Sequence, residues 1–389
     1  MKKEGRTTGA SPALGILMAG GGTGGHLFPG IALAQEFLKK NFNTRILFVS
    51  TGNSFETSTL SKAGFRLKPI TVEGIKGRGL IKQLSSALKI PVGIFQSIKI
   101  LKEFKPDIVM GMGSYSSGPV ALAAMLLGIK IVLCEQNALP GITNRIFFGF
   151  ASRVYVSFKN TKFKKDSEKI IFTGNPIRGD LKKNIKNVLQ KEKERKNSRF
   201  NLFITGGSQG AHAVNKAVAE AMEHLKNIGD YHFVHQAGEK DKNRLRELYR
   251  SHGLSGVVES FFHDMRQQYE KADLIICRAG ASTVAEITAL GKPAIFIPFP
   301  FAADDHQVLN AASVIEQEGG EMILEKDITG KLLAEKIEYY ASNPGLLVKM
   351  GANAGNLGMP HAARQIVDDC YDLIFDSCLP AEARNMEKR

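Results

Sequence analysis

Short apolar runs that each end in a glycine-rich or polar turn recur along the chain and set its architecture. Residues 14–19 form the first run, and the turn after it packs five glycines, at 20, 21, 22, 24 and 25, around Thr23 before closing on His26. Past Pro29, apolar residues over 31–38 fall at helical spacing, and 45–50 is the next apolar run. Runs of this length bounded by glycine predict parallel strands buried on both faces, and strand, helix, strand in that order makes a βαβ unit.

The same rhythm continues. Residues 107–111 predict a strand, 113–119 a second loop of small residues, 120–127 a helix, and 131–133 a strand that runs into Cys134-Glu135-Gln136-Asn137. Strands over 153–157 and 169–173 complete the first half, and a Gly174-Asn175-Pro176 turn followed by lysine-rich sequence to 199 marks a boundary. The second half restarts with a strand at 202–205, a glycine turn at 206–210 and a helix over 214–225. Strands then follow at 231–236, 257–261, 273–277 and 293–298, with loops at 278–283 and 300–307. The pattern predicts an α/β chain of two units, 1–175 and 176–360, with an amphipathic helix at about 361–377 that fits either half.

Composition narrows the class. With 389 residues, 43% apolar and 23% charged, the chain reads as a globular protein with two cores. The formal charge of +14 is concentrated: residues 61–110 hold ten Lys/Arg against three Asp/Glu, and residues 159–199 hold fourteen against five. Nets of +7 and +9 point to an anionic partner, whether nucleic acid, a phosphorylated ligand or a lipid surface. Four cysteines without ligand spacing indicate neither a disulfide framework nor a zinc site. The polar first dozen residues read as a loose arm, and the longest apolar stretch, 118–129, is too short to cross a bilayer.

One segment has two readings. Ile75, Leu80, Ile81, Leu84 and Phe95 interleave with lysines and arginines after glycines at 74, 77 and 79. Apolar side chains among cations suit a bilayer interface. An ordinary helix from Pro91, with its lysines in water, fits the same residues.

The candidate chemistry begins at the first glycine turn. Gly20-x-Gly22-x-x-Gly25 formally matches a dinucleotide fingerprint, but residues 49–53 hold no acid for a ribose and no Gly-Lys-Ser/Thr closes the loop. A nicotinamide dehydrogenase and a P-loop NTPase are thereby disfavoured. His26 is the titratable side chain of the turn and suits proton transfer near neutral pH. In the second half, Gly280 to Thr283 would open a helix whose free N–H groups suit a phosphate, with Glu286 one turn on for vicinal hydroxyls. The same residues also read as a plain N-cap and first-turn acid. Asp304 and Asp305 invite a metal, yet hard cations need more oxygen ligands than a pair supplies.

Assembled in order, these pieces resemble the MurG family of bacterial N-acetylglucosaminyltransferases along nearly the whole chain. The resemblance rests on Gly-Gly-Gly-Thr-Gly-Gly-His26 with Phe28-Pro29-Gly30, Gly111-Met-Gly113, Ser117-Gly-Pro119 and Glu135-Gln136-Asn137. It continues through Gly174-Asn-Pro-Ile-Arg178, Gly206-Gly-Ser208-Gln-Gly210, Arg278-Ala-Gly280 with Thr283 and Glu286, and Asp305-His306-Gln307. Cys134 and Phe262 depart from the expected pattern. The resemblance implies a GT-B fold, two Rossmann-like domains facing across a cleft, and inverting transfer of GlcNAc from UDP-GlcNAc to the 4-hydroxyl of the muramyl sugar of undecaprenyl-linked lipid I, giving lipid II. UDP-GlcNAc is then a substrate, and no cofactor, metal or nucleic acid is implied.

It further implies a donor site of Arg178, Ser208, Glu286 and Gln307, with Glu286 on the ribose hydroxyls and Ala281, Ser282 and Thr283 at the helix start. The loop at Phe262 would meet the uracil through its backbone, and Thr23, Gly24 and Gly25 with Asn137 would face donor sugar and acceptor. His26 is the first candidate for the base and Glu135 the reserve. Ile75, Leu80, Ile81 and Leu84 would touch the anionic cytoplasmic face of the bacterial plasma membrane. Two other functions stay open: a UDP-GlcNAc 2-epimerase on the same fold, which needs no acceptor, and a basic polyanion-binding module with steep salt dependence.

Overall fold

The computed structural model describes residues 12–74, 80–161, 163–164, 167–179, 199–302 and 305–375, with the backbone alone over 80–88. The first half contains β1 (Gly15–Ala19), α1 (Gly24–Lys40), β2 (Arg45–Ser50), α2 (Ser54–Lys62), β3 (Arg66–Pro69) and α3 (Leu80–Phe104). It continues with β4 (Ile108–Gly111), α4 (Ser117–Leu126), β5 (Lys130–Glu135), α5 (Ile142–Phe147), β6 (Arg153–Val156) and β7 (Ile170–Phe172). The second half runs β8 (Phe200–Thr205), α6 (His212–Ala221), β9 (Tyr231–Gln236), α7 (Lys242–Ser251), β10 (Gly256–Glu259), α8 (Met265–Lys271), β11 (Leu274–Cys277) and α9 (Ala281–Leu290). It closes with β12 (Ala294–Phe296), α10 (His306–Ile315), β13 (Glu321–Met322), α11 (Gly330–Ser342), α12 (Pro344–Asn356) and α13 (Ala362–Phe375).

Two parallel sheets result, in the orders β3-β2-β1-β4-β5-β6-β7 and β10-β9-β8-β11-β12-β13. Their central strands are buried on both faces, and the period of two divides each strand between two core layers. Ile16 and Met18 enter one layer while Leu17 and Ala19 enter the other. Leu202 and Ile204 are likewise separated from Phe203. Helices cover both faces, so each half is a doubly wound α/β unit. In each sheet the strand order reverses beside the first strand, between β1 and β4 and between β8 and β11. Ligands of such sheets bind at that reversal, outside the strands' carboxyl ends.

The last helix returns to the first half. Ala363, Ile366, Val367, Cys370, Tyr371 and Ile374 of α13 share a core layer with Ile16 and Met18. The Tyr155 hydroxyl donates to Asp369 at 2.7 Å, and Arg153 Nε lies 3.2 Å from the same carboxylate.

Two local expectations need correcting. The helix expected from Pro91 begins at Leu80 and passes through Pro91. Packing outweighs the lost backbone bond: the helix lies so close to α4 that a Cβ at Gly93 would sit 3.5 Å from Pro119, and Ile100 and Leu101 are buried. Helix α2 and strand β3 were not anticipated. Asn53 caps α2 by accepting from Glu56 N while Glu56 reaches back to Asn53 N, a capping box legible as Asn-x-x-Glu. Among the four residues expected at a membrane, Ile75 lies outside the described residues, and Leu80, Ile81 and Leu84 lie on the first two turns of α3. No helix among the described residues is long and apolar enough to cross a membrane.

Candidate active site

The glycine turn after β1 is held from behind by an acid. Glu56 is 0% exposed and accepts from Ser50 Oγ at 2.6 Å, Thr51 Oγ1 at 2.8 Å, Asn53 N at 3.1 Å and Gly22 N. A Cβ at Gly21 would collide with Glu56 and Ser50, and Gly22 has φ +88°. The carboxylate absent from residues 49–53 therefore stands three residues later, and it grips the turn instead of offering itself to a ribose.

His26 follows in the first turn of α1, partly buried. Its Nδ1 lies 2.9 Å from the Met112 carbonyl oxygen and 3.1 Å from Gln136 Oε1. A carbonyl oxygen only accepts, so Nδ1 carries the proton and Nε2 the lone pair. Burial, reinforced weakly by His306, holds the imidazole pKa below its ordinary 6.5 against the pull of those two acceptors. At neutral pH the ring is neutral and can take a proton at Nε2. Gly113 makes room for it: a Cβ there would sit 3.0 Å from the ring.

Glu135, the reserve base, occupies a different environment. It is 2% exposed and accepts from Asn137 N at 2.9 Å, Gly141 N at 2.8 Å and Asn144 Nδ2 at 2.8 Å. Burial raises its pKa while these donors pull it back. Both of its oxygens are spent shaping the turn 135–141.

The second half meets this turn directly. Ser208, in the loop after β8, places Oγ 3.8 Å from where a Cβ of Gly24 would be. Ser282 Oγ donates to the Gly25 carbonyl at 3.3 Å. That carbonyl is available because Pro29, four residues on, has no N–H to return to it. Asn137 Oδ1 accepts from Asn310 Nδ2 of α10 at 3.2 Å, and Ala138 N donates to Asn310 Oδ1 at 2.9 Å. Thr23, Gly24, Gly25, His26 and Asn137 thus come together with Ser208 and Ser282 across the interdomain cleft.

Helix α9 opens on Gly280 with no side-chain cap, so the first-turn N–H groups of Ala281, Ser282 and Thr283 have no intrahelical acceptor. One turn on, Glu286 is 5% exposed. Arg178 grips its Oε1 with Nε at 3.0 Å and a terminal nitrogen at 2.9 Å, and the Tyr269 hydroxyl donates to Oε2 at 2.9 Å. The Arg178 guanidinium also stacks on the Phe28 ring of α1, 4.9 Å from its centroid. Gln307 uses Oε1 to accept from Phe299 N at 3.0 Å. The Phe262 N–H is held by Gln236 Oε1 at 3.0 Å and its ring packs edge-on to Phe203, so a base meeting this loop must use the carbonyl or displace Gln236. Asp304 lies outside the described residues. A cavity of about 390 Å³ sits apart from the glycine turn, between Phe158, Phe172, Val284, Val314 and Met359.

Sequence reasoning missed Glu56, Gln136, Tyr269 and Asn310 as members of this constellation. Three of them had a local signal: Glu56 closes the Asn-x-x-Glu capping box, Gln136 stands between Glu135 and Asn137, and Asn310 lies one turn beyond Gln307 on the same helix face.

Residues 16–156 match the glycosyltransferase family 28 N-terminal domain and residues 201–366 its C-terminal domain. A UDP-N-acetylglucosamine–N-acetylmuramyl-(pentapeptide) pyrophosphoryl-undecaprenol N-acetylglucosamine transferase of Syntrophus aciditrophicus is 47% identical over 360 residues, 92% of this chain and 98% of that relative. The crystal structure of Acinetobacter baumannii MurG superposes with TM-score 0.72 at 30% identity, covering 92% of this chain and 98% of its own. A UDP-GlcNAc 2-epimerase from Neisseria meningitidis superposes with TM-score 0.63 over 92% of this chain and 98% of its own, but at 16% identity it shares the fold alone. The two doubly wound domains form a GT-B fold, and the chain belongs to the MurG family of N-acetylglucosamine transferases within glycosyltransferase family 28.

Proposed function

We propose that this enzyme transfers N-acetylglucosamine with inversion from UDP-GlcNAc to the 4-hydroxyl of the muramyl sugar of lipid I, releasing UDP and lipid II. The observation that carries the reading is the meeting of Gly24 and Gly25, in the glycine turn that leads into His26 of one domain, with Ser208 and the open first turn of α9 on the other. The acceptor hydroxyl gives its proton to His26 Nε2 as its oxygen attacks the anomeric carbon, and the bond from that carbon to the diphosphate breaks. The helix N-termini after β8 and β11, with Arg178, face the negative charge that UDP gains. UDP-GlcNAc is consumed as a substrate, and the step as written draws on no cofactor.

Measuring UDP release from UDP-GlcNAc with and without a lipid I analogue tests this. Release that depends on the analogue is expected. Conversion of UDP-GlcNAc without any acceptor would favour the epimerase, and salt-sensitive polyanion binding with no turnover would favour the basic module.

The acceptor's polyprenyl tail would put the reaction at a membrane, on its cytoplasmic face in this reading, and exposed apolar side chains supply a surface for that contact. Val92, Phe95, Tyr115, Ile142, Ile146 and Phe150 are all 45% or more exposed. They belong to neighbouring segments, since Gly74 lies against Tyr115, Gly93 against Pro119 and Gly118 near Thr143. Lys89 and Lys99 lie on α3 with Val92 and Phe95, and residues 61–110 carry a net +7 in sequence, which suits anionic head groups. Replacing Phe95 and Ile146 together by Ser is expected to lower partitioning onto anionic vesicles by roughly a hundred-fold or more, at about 1.5–3 kcal/mol per large apolar side chain buried. Sedimentation with vesicles reads it, and unchanged partitioning would place the contact elsewhere.

A further inference from the structure

Gln136 follows β5 and is 2% exposed. Its Oε1 faces His26 Nδ1 at 3.1 Å, and among the described residues its Nε2 has no hydrogen-bond partner. The orientation is dictated by the imidazole. Nδ1 must donate to the Met112 carbonyl at 2.9 Å, so the Gln136 atom beside the same hydrogen has to be the oxygen. The cost falls on the amide nitrogen, which is left buried and unpaired. A buried donor without an acceptor destabilises the fold, so stability alone gives no reason for glutamine here.

We infer that Gln136 is a positioning residue for the base: its side-chain oxygen, added to the Met112 carbonyl, holds the His26 ring in the tautomer that protonates Nδ1 and keeps the lone pair on Nε2. The inference rests on the transfer reading above, in which Nε2 accepts the acceptor's proton. Gly113 contributes by shape, since a side chain there would press on both the ring and Gln136 Oε1. The charged groups around His26 do not duplicate the role. His306 of α10 acts on it only through space, the Glu135 carboxylate turns away into its own loop, and Glu56 lies behind the glycine turn. As Nε2 becomes protonated, Met112 and Gln136 both accept from Nδ1–H and stabilise the cation that forms.

Gln136→Met keeps the volume and removes both the acceptor and the stranded donor, and Gln136→Glu keeps an acceptor. For Gln136→Met the expected results are an unchanged or raised melting temperature, a fall in kcat of roughly ten-fold, the scale of one hydrogen bond, and an unchanged KM for UDP-GlcNAc. The acid limb of its kcat/KM profile should move to lower pH. Gln136→Glu should recover most of kcat and move that limb to higher pH, because a carboxylate stabilises the imidazolium. In ¹⁵N-histidine spectra, His26 should be almost wholly the Nδ1–H tautomer in the wild type, and the Nε2–H share should rise in Gln136→Met, where the Met112 carbonyl alone still favours Nδ1–H.

Wild-type kcat, limb and tautomer in Gln136→Met would overturn the inference. So would a fall in melting temperature with kcat and KM worsening together and no recovery in Gln136→Glu, which is the signature of a merely structural residue. Failure of the transfer reading is separately visible as wild-type UDP release that ignores the acceptor, while the tautomer signal still tests Gln136 by itself.

Discussion

His26→Ala is expected to lower kcat by roughly 10²- to 10⁴-fold, the usual worth of a general base, while leaving KM for UDP-GlcNAc within a few-fold of wild type. The asymmetry follows from where the ring is held. Its contacts are with Met112 and Gln136 of its own domain, whereas the residues proposed for the donor, Arg178, Ser208 and Glu286, lie on the other. Glu135 is poorly placed to take over, since three donors already occupy its oxygens. The pH profile carries the same sign. The proposed base must be neutral to act, burial lowers the His26 pKa, and so kcat/KM of the wild type should hold from neutrality down past 6.5 before falling. Steady-state kinetics with a lipid I analogue measure both. A variant with wild-type kcat would remove His26 from the chemistry, and an acid limb above 6.5 would contradict a buried neutral base.

Much of this architecture can be read in the sequence because strand burial leaves a simple mark. Runs such as 14–19 and 202–205 have no polar face to hide, and each is followed by glycines where the main chain must turn sharply into a helix. The repeat of that unit in both halves locates the two switch points, and hence the loops carrying His26, Ser208 and Ser282. Partnership is what the pattern does not carry. Arg178 and Glu286 are 108 residues apart, and Asn137 and Asn310 are 173 apart. No periodicity connects them: the folding of the second half brings Arg178 to Glu286, and the relative placement of two domains brings Asn137 to Asn310. Orientation is equally silent: Glu56 and Glu135 look like available acids until their neighbours turn them inward. Pro91 misleads for the opposite reason, a local helix breaker overruled by contacts with α4.

Glu286→Ala is expected to weaken UDP binding by about 10- to 100-fold, which corresponds to about 1.5–3 kcal/mol for a hydrogen bond to a charged group. The carboxylate has about four acceptor sites. Arg178 uses two on Oε1 and Tyr269 one on Oε2, which leaves one for a ribose that offers two vicinal hydroxyls. In this reading, full engagement of the ribose requires Arg178 to give up a contact with Glu286, and its guanidinium stays stacked on Phe28 between the domains. Removing Glu286 also leaves Arg178 without its carboxylate in a largely buried place, so the melting temperature should fall, with a loss of order 3 kcal/mol. Calorimetric titration with UDP below the variant's melting range separates the two effects, since lost stability alone leaves the affinity of the folded fraction unchanged. At saturating donor, kcat should fall far less than in His26→Ala, because His26, Met112 and Gln136 are untouched. Wild-type affinity for UDP in folded Glu286→Ala would detach the ribose from Glu286 and reduce its role to holding Arg178 and Tyr269 in place.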